Sequence, residues 1–366
     1  MIQPAITRFG LLLCIICSGL LVEAQLNFIP REPSPAATIS QTIGISSVTV
    51  DYSRPAVKGR EIWGKLVPYG WDKAGSAIGL ESPWRAGANE NTVLHLSHAA
   101  TVEGNQVPAG DYGIFFIINS DNTGEVILSK DYKSWGSFFY DPKQDQMRAK
   151  ITVRDVPAST ERLTYSFDNL SKNSAELDLN WEKKQFPVKI EFKVDEIVID
   201  NAREVLKGQL GFIWQYNNAA ADYTLTNKVD MDQGLKWANR AIAIQPAPSM
   251  GPYITKAGLL DLTTGNHAEA EKVMKDAIAQ ASEADLNAYG YQLLAQQKFD
   301  KAIEVLKLNT ERHPASANTW DSLGEAYALS GDKKNAIANF KKSLSLNPPA
   351  PTKANSEKYL KQLGAM

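Results

Sequence analysis

"ERLTYSFDNLSKNSAELDLNWEKKQFPVKIEFKV", residues 161–194, alternates apolar and polar side chains almost throughout. Leu163, Tyr165 and Phe167, then Leu177, Leu179 and Trp181, then Val188, Ile190, Phe192 and Val194 each share one face of a period-two pattern. Glu176, Asp178, Asn180, Glu182, Lys189, Glu191 and Lys193 take the wet face. Turn formers in DNLSKNS and EKKQFP divide the run, so the spacing predicts three antiparallel strands in a meander. Beyond about residue 198 the period becomes helical and stays so. The chain therefore changes architecture once, with strands before that point and helices after it.

Toward the N-terminus the strand texture continues. Val48, Val50 and Tyr52 alternate with Thr49, Asp51 and Ser53, and Ile151 and Val153 alternate with Lys150, Thr152 and Arg154. DYGIFFIIN and EVILSKDY, joined across SDNTG, read as a hairpin. Residues 38–196 are expected to form a single antiparallel β-sandwich or barrel. A proline-containing linker, 25–37, precedes it. Residues 1–24 have Arg8, an apolar run from Leu11 to Val22, and Val22 and Ala24 before Gln25, the pattern of a secretory signal peptide. That run is well short of the roughly 20 residues a bilayer requires. Cys14 and Cys17, neither behind a lipobox, are the 2 cysteines of the chain and lie inside the signal. Disulfides, cysteine nucleophiles and thiolate metal sites are thereby excluded from the mature chain, which is expected in the periplasm or outside the cell. With 39 basic and 41 acidic residues spread along 366 positions, the net charge of -2 leaves no footprint for nucleic acid or an anionic membrane.

Toward the C-terminus, "NTWDSLGEAYALSGDKKNAIANFKKSLSLNP", residues 318–348, carries Trp320, Leu323, Gly324, Tyr327, Ala336, Phe340 and Pro348. Those offsets resemble the tetratricopeptide repeat. A unit from about 283 has Leu286, Tyr289, Gly290, Leu293, Ala302, Leu306 and Pro314 at the same places, and one from about 251 has Ile254, Ala257, Gly258, Ala270, Met274 and Ala277. Gly258, Gly290 and Gly324 on each first helix, facing Ala270, Ala302 and Ala336 on each second, would let the pair approach to roughly 8–10 Å. A divergent unit over 215–248 keeps Trp237, Ala241 and Pro246. The fold class expected is thus α+β multidomain: the β-domain, a linking helix over 197–214, an all-α tetratricopeptide-type solenoid over 215–350, and a capping helix over 351–366. The resemblance implies a protein- or peptide-binding groove lined by Thr255, Leu259, Asn287, Tyr291, Asp321 and Glu325. The Lys and Asn set that clamps acidic chaperone tails is absent. The groove could equally be filled by the chain's own β-domain or linking helix.

The β-domain carries a second resemblance. "SSVTVDYSRPAVKGREIWGKLVPYG" (46–70), "WRAGANENT" (84–92) and "TVEGNQVPAGDYGIFFI" (101–117) occur in order. They resemble an uncharacterised bacterial family, domain of unknown function 2911, and the likeness continues into GLKWANRAI (234–242). It implies this architecture and a cell-envelope location in Bacteroidetes-like bacteria, without a mechanism. In the family VPYG runs almost directly into WRAGAN, whereas here WDKAGSAIGLESP (71–83) intervenes.

No G-x-S-x-G elbow, P-loop, G-x-G-x-x-G or H-E-x-x-H is present. His95 and His98, three apart in a strand, fall on opposite faces, and DMDQG (230–234) has Gly234 and Ala241 where a calcium loop needs oxygen ligands. Neither metal nor cofactor is expected. What remains is the polar set Asp51, Ser53, Arg54, Arg60, Arg85, Asn89, Glu90 and Thr92 around Trp84. In a structural reading Gly87 takes a left-handed conformation, Asn89 and Asn91 bond the turn backbone, and Glu90 pairs with Arg85 or Arg54. In a functional reading Arg54, Arg60, Trp84, Arg85, Asn89 and Glu90 line a cleft for an anionic or sugar group. The chain is expected to be an exported, non-enzymatic binding or scaffold protein of the envelope. The alternative is a hydrolase or lyase acting on envelope carbohydrate through Glu90 with Arg85 and Arg54.

Overall fold

The two sequence periods become two kinds of unit. The computed structural model describes residues 33–73 and 79–365, and the chain divides into units at 1–192 and 193–366. The signal segment 1–24 and residues 25–32 of the linker lie outside the described residues, as do residues 74–78 of the insertion.

The first unit is built from two antiparallel sheets. Strands β1 (Ala36–Ile43), β2 (Ser46–Ser53), β3 (Val93–Leu96), β6 (Gly110–Ile118), β7 (Thr123–Ser129) and β8 (Asp145–Thr152) form one, in the order β1-β2-β3-β6-β7-β8. Strands β4 (Ala100–Val102), β5 (Asn105–Val107), β9 (Arg154–Asp168) and β10 (Ser174–Glu191) form the other, in the order β5-β4-β10-β9. On β2, Val48, Val50 and Tyr52 are buried, with Val50 opposite Ile39 of β1 and Leu94 of β3. Tyr52 meets Tyr165 of β9 edge-on at 4.8 Å, and Phe116 of β6 meets Phe186 of β10 at 5.2 Å, so rings join the sheets across the core. The unbroken apolar run of β6 has a simple cause. Phe115 and Ile117, on its other face, are covered by Ile127, Tyr140 and Trp71.

The meander expected over 161–194 is corrected to two strands. β10 continues through EKKQFP as a single strand of 18 residues. Its register with β9 shifts between Asn180 and Glu182 and again between Glu182 and Lys184. Glu182, at φ 51°, inverts the alternation there, so odd-numbered Leu177, Leu179 and Trp181 and even-numbered Phe186, Val188 and Ile190 are all buried. Pro187 lies between Gln185, paired with β9, and Ile190, paired with β4, where its missing N–H breaks no rung of those ladders. Val194, expected on the last strand, instead opens a helix.

The second unit contains α1 (Val194–Val205), α2 (Trp214–Asn227), α3 (Met231–Ile244), α4 (Met250–Thr264), α5 (His267–Gln280), α6 (Glu283–Ala295), α7 (Phe299–Arg312), α8 (Ala317–Ser330), α9 (Lys333–Ser345) and α10 (Ala350–Gln362). The stretch read as one linking helix holds the end of α1 and a short 3-10 turn, Gln209–Phe212. Helices α2 to α9 form four successive hairpins, a tetratricopeptide-like solenoid, with α10 packed after them. A Cβ on Gly290 or Gly324 would lie 2.6 Å from Leu306 or 2.9 Å from Phe340 of the partner helix, which explains both glycines. Gly258 differs from expectation: its Cβ would meet Leu225 of α2, 2.9 Å away, so it eases contact with the preceding hairpin. The loop between α5 and α6 is only Ala281 and Ser282, with a capping box between Ser282 and Asp285. Among the described residues no helix is long and apolar enough to cross a membrane.

Candidate functional site

The WRAGANENT turn begins at Trp84, which exchanges backbone hydrogen bonds of 2.9 Å in each direction with Phe116 on β6, and runs into β3. Between them Ala86 (φ 54°) and Asn89 (φ 62°) take the left-handed conformation expected of Gly87. Gly87 is required for room instead, since a Cβ there would lie 2.7 Å from Thr92 Oγ1. Ala86 is held by its carbonyl, which accepts from Thr92 Oγ1 and Tyr165 Oη, both at 3.1 Å. Asn89 Nδ2 donates to the Ser34 carbonyl and Ser53 Oγ, and Asn91 Nδ2 donates to the Asp131 carbonyl. This network fixes the turn from both sheets.

Beside it opens a cleft of about 640 Å³. Of the residues singled out in sequence, Arg60, Trp84, Arg85 and Asn89 line it; Arg54 and Glu90 do not. Lys58, Leu66, Phe138, Ser82 and Trp181 are among the other residues of the wall. The insertion contributes through its described flanks, where Asp72 and Ser82 exchange backbone hydrogen bonds and both line the cleft. Trp84 stacks on Trp181 with centroids 5.8 Å apart and planes 15° from parallel, and Trp63 meets both edge-on. Trp181 Nε1 and Ser82 Oγ are buried without a hydrogen-bond partner.

Arg85 dominates the electrostatics. Its Nη1 donates to the Asn89 carbonyl at 2.7 Å, and the guanidinium lies over the Phe138 ring, 5.2 Å from its centroid. Gly136, at φ 60°, passes so close that a Cβ would sit 2.5 Å from Arg85 Cζ. Burial pushes the Arg85 pKa down, and among the described residues no carboxylate pairs with it. The pairing of Glu90 with Arg85 or Arg54 is not seen among the described residues. Arg54 staples β2 to β9, donating from Nε to the Leu163 carbonyl (3.0 Å) and from Nη2 to Thr164 Oγ1 (2.6 Å). Arg60 turns back on its own loop, donating to the carbonyls of Val57 and Ala56. The Arg85 guanidinium is thus partly exposed and held by a carbonyl, a ring and a glycine backbone, an arrangement that can receive an anion.

Sequence reasoning missed Phe138 and Trp181. Trp181 was read as core, which it also is. SWGSFF (134–139) offered a signal: Trp135, Phe138 and Phe139 are large apolar residues that remain exposed. His95 also carries more than its sequence reading. Its Nδ1 lies 2.7 Å from Asp111 of β6 and its Nε2 2.9 Å from Asp51 of β2. Burial lowers its pKa, but the hydrogen bonds and charges of Asp111 and Asp51 outweigh that and hold it above the usual value. His98 turns to Ser97 Oγ instead.

The groove candidates separate. Thr255, Leu259 and Asp321 are buried, Leu259 among Trp237, Ala238 and Ala221, so these three are packing residues rather than open contacts. Asp321 accepts from Asn355 and Ser356 of α10, and Glu325 from Asn355, Tyr359 and Tyr291, so α10 and α6 occupy these side chains. Asn287 is half-buried on α6. Among the described residues the second unit holds a recess of about 870 Å³ lined by Ile254, Met274, Ile278, Tyr289, Leu293 and Val305 of α4 to α7.

Residues 34–190 match the family described as Protein of unknown function (DUF2911). Within this region lie the whole described wall of the cleft except Pro33, and all three motifs that carry the resemblance. Residues 317–349, α8 and α9, match a tetratricopeptide repeat. No curated protein matches the chain. Among solved structures, MamA is similar at 18% identity, covering 42% of this chain and 89% of its own, with a TM-score of 0.26. YrrB, described as a TPR protein with an unusual peptide-binding site, is 13% identical over 45% of this chain and 84% of its own, TM-score 0.27. PilW, described as a widely conserved type IV pilus biogenesis factor, is 21% identical over 47% and 87%, TM-score 0.27.

Proposed function

We propose that this chain is an exported binding protein of the bacterial envelope, whose β-unit holds an anionic group in the Arg85 cleft while the helical unit serves as a protein-interaction scaffold. The observation that carries the reading is Arg85 itself. Desolvating a guanidinium is costly unless something charged or strongly accepting meets it, and no carboxylate among the described residues does. Its side chain is nonetheless held in place by Asn89, Phe138 and Gly136. The DUF2911 region then supplies the ligand site, and the stacked hairpins, with the repeat match at 317–349, supply a surface of the kind solenoids use for binding. Export rests on the N-terminal pattern of residues 1–24. Glu90, on which hydrolysis would depend, does not line the cleft, so no observation favours that second reading.

Titrating the full chain with acetate, sulfate and phosphate while following tryptophan fluorescence tests the site, because Trp84 and Trp181 form its wall. At least one anion is expected to give a saturable change that Arg85→Gln abolishes. Identical titrations in the two proteins would remove the ligand site. Recovery of an intact Met1 form in the cytosol would remove the envelope location.

A further inference from the structure

We infer that the ligand of this cleft is a ring that carries a single carboxylate, the carboxylate seated on Arg85 and the ring laid along the wall of Trp84, Phe138 and Leu66. This deepens the proposed function and rests on its reading of the cleft as an anion site. Three observations select the class. First, one desolvated charge anchors the site: Arg85 is the partly buried cation of the cleft, whereas Lys58 and Arg60, which also line it, are exposed and screened by water. One guanidinium fork matches the two oxygens of a carboxylate; a phosphate dianion asks for more cations or a nest of backbone N–H groups.

Second, the wall is aromatic and apolar while its polar capacity is concentrated. Leu66 (47% exposed) and Phe138 (41% exposed) are large apolar side chains left in contact with water at the cleft. Phe138 is held in place by Arg85 over its ring, so anion and ring sites are adjacent by construction. A ligand with both features covers the apolar surface and neutralises the charge together. Third, the volume, about 640 Å³, suits a molecule of one or two rings.

Two sources share this chemistry, an acidic sugar and an aromatic acid. Calorimetric titration of the full chain with galacturonate and with phenylacetate separates them, with galactose and benzyl alcohol as uncharged rings and inorganic phosphate as a charge without a ring. We expect one ring carboxylate to bind, its neutral counterpart to bind about tenfold or more weakly, and Arg85→Gln to lose about tenfold or more in affinity. Arg85→Lys, which keeps the charge but not the fork, is expected to lose affinity as well. Binding of phosphate tighter than either ring carboxylate, and dependent on Arg85, would overturn the ligand class while leaving the anion site intact. Equal affinity for charged and neutral rings would likewise overturn the class. Absence of binding by every probe would overturn both the class and the site. If Arg85→Gln does not fold, the charged-against-neutral comparison on the unaltered chain and the Arg85→Lys titration decide.

Discussion

Gly136→Ala should cost more than its backbone strain, because the added methyl enters the space of the Arg85 guanidinium. Gly136 and Gly59 both have positive φ, 60° and 69°, but a Cβ on Gly59 meets nothing within 4 Å, whereas on Gly136 it would lie 2.5 Å from Arg85 Cζ and 2.6 Å from Nε. Each substitution pays about 1–2 kcal/mol for a left-handed alanine. Gly136→Ala also forces Arg85 off the Asn89 carbonyl and the Phe138 ring. The hydrogen bond, partly screened by water, contributes about 1 kcal/mol. The cation–π contact contributes about 0.5–1 kcal/mol. Gly136→Ala should therefore exceed Gly59→Ala by about 1.5–2 kcal/mol. Urea unfolding of the full chain, read through the β-unit's tryptophans, gives both values. In the Arg85→Gln background the excess should vanish, since nothing remains to be displaced. Equal costs for the two alanines, or an excess that survives Arg85→Gln, would refute the claim that Gly136 holds the guanidinium in place.

In the helical unit, Gln297 takes φ 58° at the hairpin turn where the neighbouring repeats have Gly265 and Gly331, so Gln297→Gly should stabilise by up to about 1 kcal/mol in thermal melts; a loss would show the glutamine side chain to be needed. Gly324→Leu, with a Cβ already 2.9 Å from Phe340, should destabilise by about 1–3 kcal/mol, and an unchanged melt would refute hairpin packing at this site. His95, whose folded pKa is raised above its unfolded value near 6.5, should contribute stability that is complete below that value and lost as pH rises through the raised one. His95→Gln should flatten this slope in unfolding measured between pH 5 and 8, and an unaltered slope would assign it to other groups.

Period carried most of the fold, and long-range register carried what the sequence could not show. The tetratricopeptide offsets located the α4 to α9 hairpins because Gly290 and Gly324 answer to a partner helix only one turn away along the chain. Gly258 obeys the same pattern for another reason, contact with Leu225, which the repeat alone does not reveal. EKKQFP looked like a turn because charge and proline usually mark one; a bulge at Glu182 uses the same residues to rephase one long strand. In the candidate site Trp84, Arg85 and Asn89 were legible as a polar and aromatic cluster. Their partners were not: Phe138 and Gly136 come from some fifty residues away, and His95 finds Asp51 and Asp111 only through the pairing of β2, β3 and β6. Nor does proximity in sequence show that the turn at Ala86 and Asn89 brings Arg85 to the Asn89 carbonyl.

The central claim is that Arg85 is held ready for an anion, and the side-chain Nε–H resonance of Arg85 reports on it directly. Assigned by its disappearance in Arg85→Gln and followed by nitrogen–proton NMR as acetate or galacturonate is added, it should shift and saturate. Arg54, tied to Leu163 and Thr164 away from the cleft, should not move with it. An Arg85 signal that stays still, or that drifts in parallel with Arg54 as salt is added, would contradict the account.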